Sequence, residues 1–390
     1  MRRPRLDPAT ARIRTVLRAL VVAQRGGTGK PSGTVHGSAD PLREPGAPLL
    51  VAVSGGADSL ALAAAAAFLH ARGEARFLAV TVDHGLQDGS DAVARDTVAA
   101  LTALGLPARA ATADVAPGTP GGLEAAARTA RYAALALAAQ EAGAAAVLTG
   151  HTQDDQAETV LLGLLRGSGA RSLSGMAGRT RLDTEAGPLT VLRPLLGITR
   201  DQTRASVRAQ GLSAWDDPMN EDSRFARVRA RHVLRDLEES LGQDLRAGLA
   251  RTADLLREDA DHLDAEAGRA WAALVAQVGG DGETDPTGAA GGPEEAVSTG
   301  SAVATGEAPS APEALPVESL AQLGPAVAGR VVRTWLLARG VPASDLTADH
   351  VRGVREVAAA SGAGRREASV PGAGTVRRAG GMLVHRAAGD

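Results

Sequence analysis

Short apolar runs alternate with helical patterns along the first half of the chain. The runs typical of buried strands are "LLVAV" (49–53), "FLAVTV" (77–82), the weaker "ARAAT" (108–112) and "AAVLTG" (145–150). Helical periodicity follows each of them, at residues 58–71, 91–104, 123–142 and 154–166. Strict alternation of strand and helix predicts crossover connections. We therefore expect an α/β fold with a doubly wound parallel sheet.

The second half of the chain has a different pattern. Residues 224–275, 318–339 and 347–360 show helical periodicity, and the final stretch "REASVPGAGTVRRAGGMLVHRA" resembles two or three short strands joined by glycine turns. The pattern predicts a first domain over residues 1–240, followed by a smaller, mostly helical module over residues 241–390.

Two stretches lack any helix or strand period. Residues 25–48 are polar and rich in Gly and Pro, and residues 279–316 form a longer acidic segment. Neither contains enough apolar side chains to offset the entropy of ordering. We expect the first to be a flexible insertion in the first domain and the second a disordered linker.

Composition excludes several kinds of chemistry. The chain has no cysteine, so disulfides, thiolate metal sites, iron–sulfur clusters and cysteine nucleophiles are excluded. Its net charge is −3, so a polyanion site must be a local patch. The basic N-terminal stretch contains Arg14 and Arg18 within its apolar run, which favours an amphipathic helix over a signal peptide. With no apolar run of about 20 residues, we expect no membrane span and a cytoplasmic location.

The stretch "VAVSGGADSLALA" (51–63) carries the first candidate site. Two glycines after a strand allow close backbone approach, and the amides of the turn and of the next helix's first turn form an anion site. Ser54 and Ser59 add hydroxyl donors. Asp58 would repel phosphate unless it binds a divalent cation that the phosphates share. Magnesium–ATP fits these features; a plain strand–turn–helix joint with Asp58 as a cap is the alternative.

A second cluster, "GHTQDDQAET" (150–159), follows the fourth strand. Ligands bind beyond the carboxyl ends of parallel strands, so this cluster should face the same edge as Asp58. One histidine and three acids there suggest metal binding: His151, Asp154, Asp155 and Glu158. Helix capping and surface charge are the alternative, because acidic side chains suit a helix N-terminus.

Arginines supply two further candidates. Arg128 lies on the predicted helix 123–142, where it could stabilise charge on a triphosphate or simply pair with Glu124. Arg227, Arg231 and Arg235 recur every four residues and share one helical face. Such a stripe could contact RNA phosphates, or it could be a solvated face.

These motifs together resemble a known family. "SGGADS" is similar to the pyrophosphate loop of N-type ATP pyrophosphatases, which adenylate a substrate. The set resembles the tRNA(Ile)-lysidine synthetases in order and spacing over residues 49–235: "VDHGLQDGS", "EAAARTARYAAL", "TGHTQDDQAETVLLGLLRGSG", "LRPLLGITRDQTRA" and "WDDPMNEDSRFARVRAR".

The resemblance implies roles for particular residues. The pyrophosphate site would comprise Ser54, Gly55, Gly56, Ala57, Asp58 and Ser59, with His151 also at the ATP. Asp58 and Asp155 would hold Mg²⁺ and, with Arg128, serve catalysis. Arg227 and Arg231 match the family's arginine pair for tRNA binding or substrate positioning. This chain departs from the family pattern at Thr152, where a second histidine is usual, and at Val228, where asparagine is usual.

The resemblance also implies the reaction. ATP would adenylate cytidine 34 of the CAU-anticodon isoleucine tRNA, and free lysine would then replace AMP at C2, giving lysidine. Another tRNA-modifying enzyme with the same loop, such as a cysteine-independent thiolase, is the alternative within the superfamily. A non-catalytic RNA-binding protein is the alternative outside it, and it would not turn over ATP. The sequence leaves the choice between a monomer and a homodimer open.

Overall fold

The computed structural model describes most of the chain, namely residues 6–25, 46–85, 89–115, 122–215, 222, 224–280, 312–343, 345–360 and 366–387. Most of the two stretches without periodicity, residues 26–45 and 281–311, lies outside these ranges. Contacts divide the chain into two compact units, with the second beginning at Asp259. The sequence pattern predicts the boundary at residue 240 instead, between two helices.

A six-stranded sheet forms the centre of the first unit. Its strands are β1 (Leu49–Ala52), β2 (Phe77–Asp83), β3 (Ala108–Thr112), β4 (Ala146–Leu148), β5 (Arg179–Thr184) and β6 (Gly187–Leu192). Their order is β3-β2-β1-β4-β6-β5, and every neighbouring pair is parallel except β5 with β6. The predicted doubly wound sheet is confirmed, and the β5–β6 hairpin adds an antiparallel edge that the apolar pattern did not reveal.

Nine helices begin in the described part of this unit: α1 (Pro8–Arg25), α2 (Ala57–Ala71), α3 (Ser90–Ala103), α4 (Gly122–Glu141), α5 (Gln153–Leu165), α6 (Ala170–Leu173), α7 (Arg200–Ala209), α8 (Ala226–Leu241) and α9 (Leu245–Gly280). None of the helices among the described residues combines the length and the apolar character that crossing a bilayer requires.

Alternate residues of β1 contribute to two different cores, which shows that both faces of the sheet are covered. Leu49 and Val51 pack in one apolar cluster with residues of α1, α2 and α7. Leu50 and Ala52 pack in another with residues of α4. This alternation follows from the period of two along a strand, and burial on both faces explains why the strand is continuously apolar.

The second unit combines helices with a small antiparallel sheet. Its further elements are β7 (Ala314–Pro316), α10 (Val317–Ala321), α11 (Pro325–Ala338), α12 (Ala348–Ala359), β8 (Glu367–Val370), β9 (Gly374–Ala379) and β10 (Met382–Arg386). The strand order is β7-β10-β9-β8. The predicted C-terminal strands and helices are therefore present.

The end of the predicted acidic linker is part of this fold, which corrects its bounds. Residues 314–316 form β7, which pairs with β10. Leu315 is fully buried in the core of the unit, and the indole Nε1 of Trp335 donates a 3.0 Å hydrogen bond to the Pro312 carbonyl. At the other end, α9 extends to Gly280. One buried leucine in an otherwise polar stretch gives too weak a signal for a strand.

We predict that Leu315→Ala destabilises the second unit. Truncating a fully buried leucine removes its apolar burial and leaves a cavity, which costs about 2–5 kcal/mol. Leu337→Ala is the matched control, because Leu337 is partly exposed on α11 of the same unit. Urea unfolding followed by tryptophan fluorescence measures both. Equal, small effects of the two variants would contradict the burial of β7.

Candidate functional site

Two loops meet at the carboxyl edge of the sheet, where β1 and β4 end. Gly150 follows β4, and a Cβ added there would lie 3.0 Å from the backbone of Asp58 and Ser59. A side chain at this position would therefore force the loops apart. The close approach places the first turn of α2 directly against the entrance to α5, as the two sequence clusters predict.

The glycine-rich turn has the geometry of an anion site. Gly55 has a φ of +86°, which strongly favours glycine, and a Cβ there would also meet Thr97 Oγ1 at 3.0 Å. Gly56 is the N-cap of α2, so the amides of Ala57, Asp58 and Ser59 have no acceptor within the helix.

Two serines complete this turn. The hydroxyl of Ser59 is buried, where it donates to the Gly56 carbonyl at 2.9 Å and accepts from the Ser54 amide at 3.1 Å. Ser54 itself is exposed. Ser59 therefore maintains the shape of the loop, while the Ser54 hydroxyl can reach a ligand.

Helix α5 begins with a capping box. The amide and hydroxyl of Thr152 each donate to Asp155 Oδ2 at 2.8 Å. Thr152 stands where the family pattern has a second histidine, and here it fixes the Asp155 carboxylate in place. Asp155 Oδ2 therefore has the capping role that the sequence offered as an alternative to metal binding. The other carboxylate oxygen, Oδ1, faces the site.

Arg200, the first residue of α7, connects the acidic side chains. Its guanidinium is 2.9 Å from Asp155 Oδ1, 3.3 Å from Glu158 Oε1 and 3.5 Å from Asp58 Oδ2. Its backbone amide donates to Asp154 Oδ2 at 2.8 Å. Sequence reasoning missed this residue, although "TRDQ" at 199–202 is a capping-box pattern that places residue 200 at a helix start.

Glu158 is the most deeply buried of these acids, with 1% of its side chain exposed. Its Oε1 also accepts from Arg231 Nε at 2.9 Å, whereas its Oε2 is buried with no hydrogen-bond partner among the described residues. Arg231 was predicted to bind tRNA or to position the substrate, and in the structure its guanidinium contacts this buried carboxylate. The helical stripe divides accordingly: Arg231 faces inward, Arg227 is half-buried and Arg235 is exposed.

The two predicted metal ligands have opposite pKa shifts. Burial raises the pKa of Asp58 to about 6, and the charges of Asp155 and Asp154 act in the same direction, against the Thr203 hydroxyl and Arg200. For Asp155, burial favours the neutral acid, but Arg200 and the Thr152 hydrogen bonds outweigh it and lower its pKa. Asp58 is therefore the carboxylate that lacks sufficient positive charge nearby.

This difference bears on the predicted magnesium. The described residues contain no cluster of three or more histidines, cysteines or acids suited to a metal. Asp58 Oδ1 accepts from the Thr203 hydroxyl, and its Oδ2 has only Arg200 at 3.5 Å. Mg²⁺ is commonly held by one or two carboxylates plus substrate phosphates, and Asp58 Oδ2 beside the anion loop fits that mode.

His151 lies close to Asp155 and is half-buried among cations. Its Nδ1 is 2.8 Å from Thr149 Oγ1. Burial lowers its pKa to about 3, and Arg193, Arg131 and Arg227 act in the same direction, against the charge of Asp155. The imidazole is therefore neutral at pH 7. Arg227 is thus near the predicted nucleotide site.

Arg128 lies exposed on α4, with its guanidinium 5.0 Å from the ring centre of Tyr132. Its charge contributes to the lowered pKa of Arg193, although burial is the main cause. Arg193 directly follows β6, so Arg128 lies near the same edge of the sheet. The side chain of Glu124 lies outside the described residues, so the predicted pairing with Arg128 stays a prediction.

Comparisons with known proteins identify the family. A family model described as a PP-loop domain matches residues 38–238, and one described as the TilS substrate binding domain matches residues 315–384. The tRNA(Ile)-lysidine synthase of Streptomyces coelicolor is 44% identical over 89% of this chain and 88% of its own length. That of Salinispora tropica is 44% identical over 88% of this chain and 91% of its own.

Among solved structures, the U34-tRNA thiolase NcsA from Methanococcus maripaludis aligns with a TM-score of 0.45 and 15% identity. The alignment covers 62% of this chain and 80% of that one. A likeness this low supports no inference about function.

The opposite pKa shifts generate a prediction about Asp58→Asn and Asp155→Asn, because asparagine mimics a protonated aspartate. The folded state holds the Asp58 proton more tightly than the unfolded chain, whose pKa is about 3.9, so ionisation costs stability between pH 4 and 6. Above pH 6, Asp58→Asn should be more stable than the parent by up to about 3 kcal/mol, with no difference below pH 4.

Asp155→Asn is the matched control with the opposite sign. The pKa of Asp155 is lowered by folding, so its ionised form stabilises the protein above pH 4 and that stability is lost in acid. Denaturant unfolding at several pH values, with EDTA and without nucleotide, measures both variants. If the stability of both variants changed with pH in the same direction, the opposite pKa shifts of Asp58 and Asp155 would be contradicted.

Proposed function

The chain belongs to the tRNA(Ile)-lysidine synthase family, and on that premise we propose how its residues perform the reaction. ATP adenylates O2 of cytidine 34 in the CAU-anticodon isoleucine tRNA, and pyrophosphate leaves. The ε-amine of free lysine then attacks C2 and displaces AMP. The product is lysidine, which reads AUA instead of AUG. The observation that carries this proposal is the anion loop of α2 packed against the acids of α5.

The ATP phosphates bind at the start of α2. The amides of Ala57, Asp58 and Ser59 have no acceptor within α2, and beside the Gly55–Gly56 turn they offer a position that the helix dipole makes favourable for an anion. The exposed Ser54 hydroxyl adds a donor at the rim. Because these donors belong to a turn that Ser59 and Thr97 already constrain, they need little rearrangement when ATP arrives.

Asp58 is the principal candidate ligand for Mg²⁺, and Asp155 the second. The raised pKa of Asp58 supports the proposal, since a cation bound at Oδ2 would relieve the repulsion from the neighbouring acids. Asp155 is held by Thr152 and Arg200 and so keeps its charge at the edge of the site. Magnesium, when bound, would neutralise the charge that develops on the departing pyrophosphate.

The remaining predicted residues bind and orient. His151 is neutral and half-buried beside Asp155, so it suits a hydrogen-bonding or stacking role toward the nucleotide rather than that of a cation. Arg128 is exposed near the same edge and can approach the phosphate at which adenylation occurs. Arg200 orients the acids from within the protein.

The tRNA also needs contacts away from the anticodon. The family model described as a substrate binding domain covers residues 315–384, which form most of the second unit. We propose that this unit contacts the tRNA and that the protein works in the cytoplasm. The thiolase alternative has no support beyond a distant structural neighbour.

The test is incubation with isoleucine tRNA bearing CAU, ATP and labelled lysine, followed by mass analysis of the nucleosides. We predict lysidine for the parent chain. Asp58→Asn and Asp155→Asn should each lower the rate by at least about 10²–10³, the usual effect of losing one preorganised electrostatic contact. Asp183→Asn, on the β5 edge strand, is the charge-matched control. Near-normal lysidine formation by either site variant would remove that residue from the site.

The arginine pair generates a separate prediction. Arg231→Ala should lower stability by roughly 3 kcal/mol, because it removes a partner from the buried Glu158 carboxylate. Arg227→Ala should leave stability unchanged and weaken substrate binding. If Arg227 contacts a tRNA phosphate, the slope of log affinity against log salt should fall by about 0.7–0.9.

Thermal unfolding and tRNA binding across salt concentrations distinguish the two variants of that pair. An unchanged slope with lower ATP affinity would assign Arg227 to the nucleotide. An unchanged melting temperature for Arg231→Ala would contradict its structural role.

A further inference from the structure

The segment that follows α7 is hydrogen-bonded to the glycine-rich turn after β1. The backbone amide of Trp215 donates to the Gly55 carbonyl at 3.1 Å. Just before it in the chain, Leu212 and Ala214 pack against the apolar cluster to which α1, α2 and α7 contribute. The segment is therefore anchored in the core of the first unit, and from there it reaches the turn at which the phosphates of ATP are proposed to bind.

Gly55 is enclosed between two neighbours. It is buried, and a Cβ added to it would lie 3.0 Å from Thr97 Oγ1 and 3.6 Å from Trp215 Cβ. Thr97 is itself fixed, because its hydroxyl donates to the Val93 carbonyl at 2.8 Å. The carbonyl of a buried residue needs a hydrogen-bond partner, and the Trp215 amide supplies it for Gly55. The turn therefore has little room to rotate away from Trp215.

The contact with Trp215 sets the direction of the next amide in the turn. The Gly55–Gly56 peptide is trans, so the Gly55 carbonyl and the Gly56 N–H point in opposite directions across the peptide plane. With the carbonyl held by Trp215, the Gly56 N–H points away from that residue. Among the described residues this N–H has no hydrogen-bond acceptor. Gly56 is the N-cap of α2, so its amide adjoins the amides of the first helical turn that also lack acceptors.

Protein donors occupy the carbonyls of the glycine pair. The Gly56 carbonyl accepts from the Ser59 hydroxyl at 2.9 Å and from the Leu60 amide at 3.0 Å. The Gly55 carbonyl accepts from Trp215, which lies outside both the turn and α2. A concave backbone whose N–H groups point to one side is an anion site, because carbonyl oxygens would repel phosphate. Trp215 therefore contributes to this polarity from a distant part of the chain.

Helix α7 and the segment after it contact the ATP loop at two points. At the start of α7, the Thr203 hydroxyl donates to Asp58 Oδ1, and the Arg200 guanidinium lies 3.5 Å from Asp58 Oδ2. Beyond the end of α7, Trp215 holds the Gly55 carbonyl. The first contact orients the candidate magnesium ligand, and the second orients the turn that faces the phosphates. Both contacts come from one continuous stretch, residues 200–215.

We propose that Trp215 is a positioning residue for the phosphates of ATP. Its backbone amide orients the Gly55–Gly56 peptide so that the Gly56 N–H donates to the pyrophosphate end of the nucleotide. The inference rests on the proposed function and adds a residue to the site at which ATP binds. A donor that is oriented before ATP arrives needs no rearrangement on binding. The role belongs to the N–H of residue 215, so a substitution that keeps this N–H should be tolerated.

The test removes the N–H of residue 215 from the full chain. Incorporating the α-hydroxy analogue of tryptophan at this position replaces the amide by an ester, which keeps the indole and removes the donor. The α-hydroxy analogue of alanine at position 214 controls for the ester linkage, and Trp215→Ala removes the indole but keeps the amide. Isothermal titration calorimetry measures the binding of ATP, pyrophosphate and AMP to each protein.

We expect the ester at position 215 to weaken the binding of ATP and of pyrophosphate about five- to tenfold, the usual effect of one lost hydrogen bond. AMP lacks the pyrophosphate end, so its affinity should match that of the parent chain. The ester at position 214 and Trp215→Ala should bind all three ligands as the parent does. A loss confined to pyrophosphate and ATP separates positioning of the turn from a general distortion of the fold.

Hydrogen exchange of the parent chain, followed by NMR, gives a second measurement that needs no variant. The Trp215 amide should be protected without any ligand, and pyrophosphate should slow the exchange of the Gly56 amide. An unprotected Trp215 amide, or a Gly56 amide that pyrophosphate leaves unchanged, overturns the proposal even where the ester variant does not fold.

The remaining outcomes also count against the proposal. If the ester at position 215 binds pyrophosphate as the parent does, the Trp215 amide does not position the turn. If Trp215→Ala loses as much affinity as the ester, the indole is responsible instead of the amide. Lysidine formation by the parent chain leaves the proposed function standing in both cases. Absence of lysidine overturns the proposed function, and pyrophosphate binding still tests the Trp215 contact.

Discussion

The guanidinium of Arg200 contacts three carboxylates at the carboxyl edge of the sheet: Asp58, Asp155 and Glu158. Like charges this close would repel one another strongly in a partly buried site. Although burial opposes it, the surrounding carboxylates hold the pKa of Arg200 above its ordinary value, so its charge is permanent. Arg200 thereby allows α2 and α5 to present acids to a common point. This one cation therefore contacts Asp58 of the glycine-rich turn, the candidate ligand Asp155, and the Glu158 carboxylate that Arg231 also contacts.

Helix α5 connects the acids around Arg200 with a neighbouring loop at Met176. Residues 154, 155 and 158 face Arg200, while Gln156, between them in sequence, hydrogen-bonds the backbone of Met176. A shift of α5 would therefore move the acids and the loop at Met176 together. For an enzyme that must bring a base to an activated phosphate, a shared rigid support keeps two substrates in register at little entropic cost.

The role of each arginine depends on its position in the fold and not on how many arginines the chain contains. In this chain the guanidinium groups serve three purposes that composition cannot separate. Arg231 compensates a buried acid, Arg193 holds the backbone carbonyl of Ala177, and Arg128 is exposed on α4. Burial and partners decide which purpose applies, because a guanidinium already paired with a buried carboxylate cannot bind a phosphate without leaving that charge unsatisfied.

The sequence by itself determined the parallel sheet, the glycine turn and the acids after β4, because these depend on local periodicity and on residue types at strand ends. It also determined the family, through motifs in a specific order. It did not reveal the β5–β6 hairpin, in which the alternating polar residues of β5 suit an exposed edge, or β7, whose only marker is Leu315.

Only the tertiary structure decided how the charges pair. Arg200 lies 142 residues from Asp58 and 45 from Asp155 along the chain, and the local pattern around residue 200 predicts no more than a helix start. Arg231 and Glu158 are 73 residues apart, and the stripe that contains Arg231 gives no indication that one member faces inward. Pairing across such separations depends on how helices pack on a sheet, and the three-dimensional fold alone sets those distances.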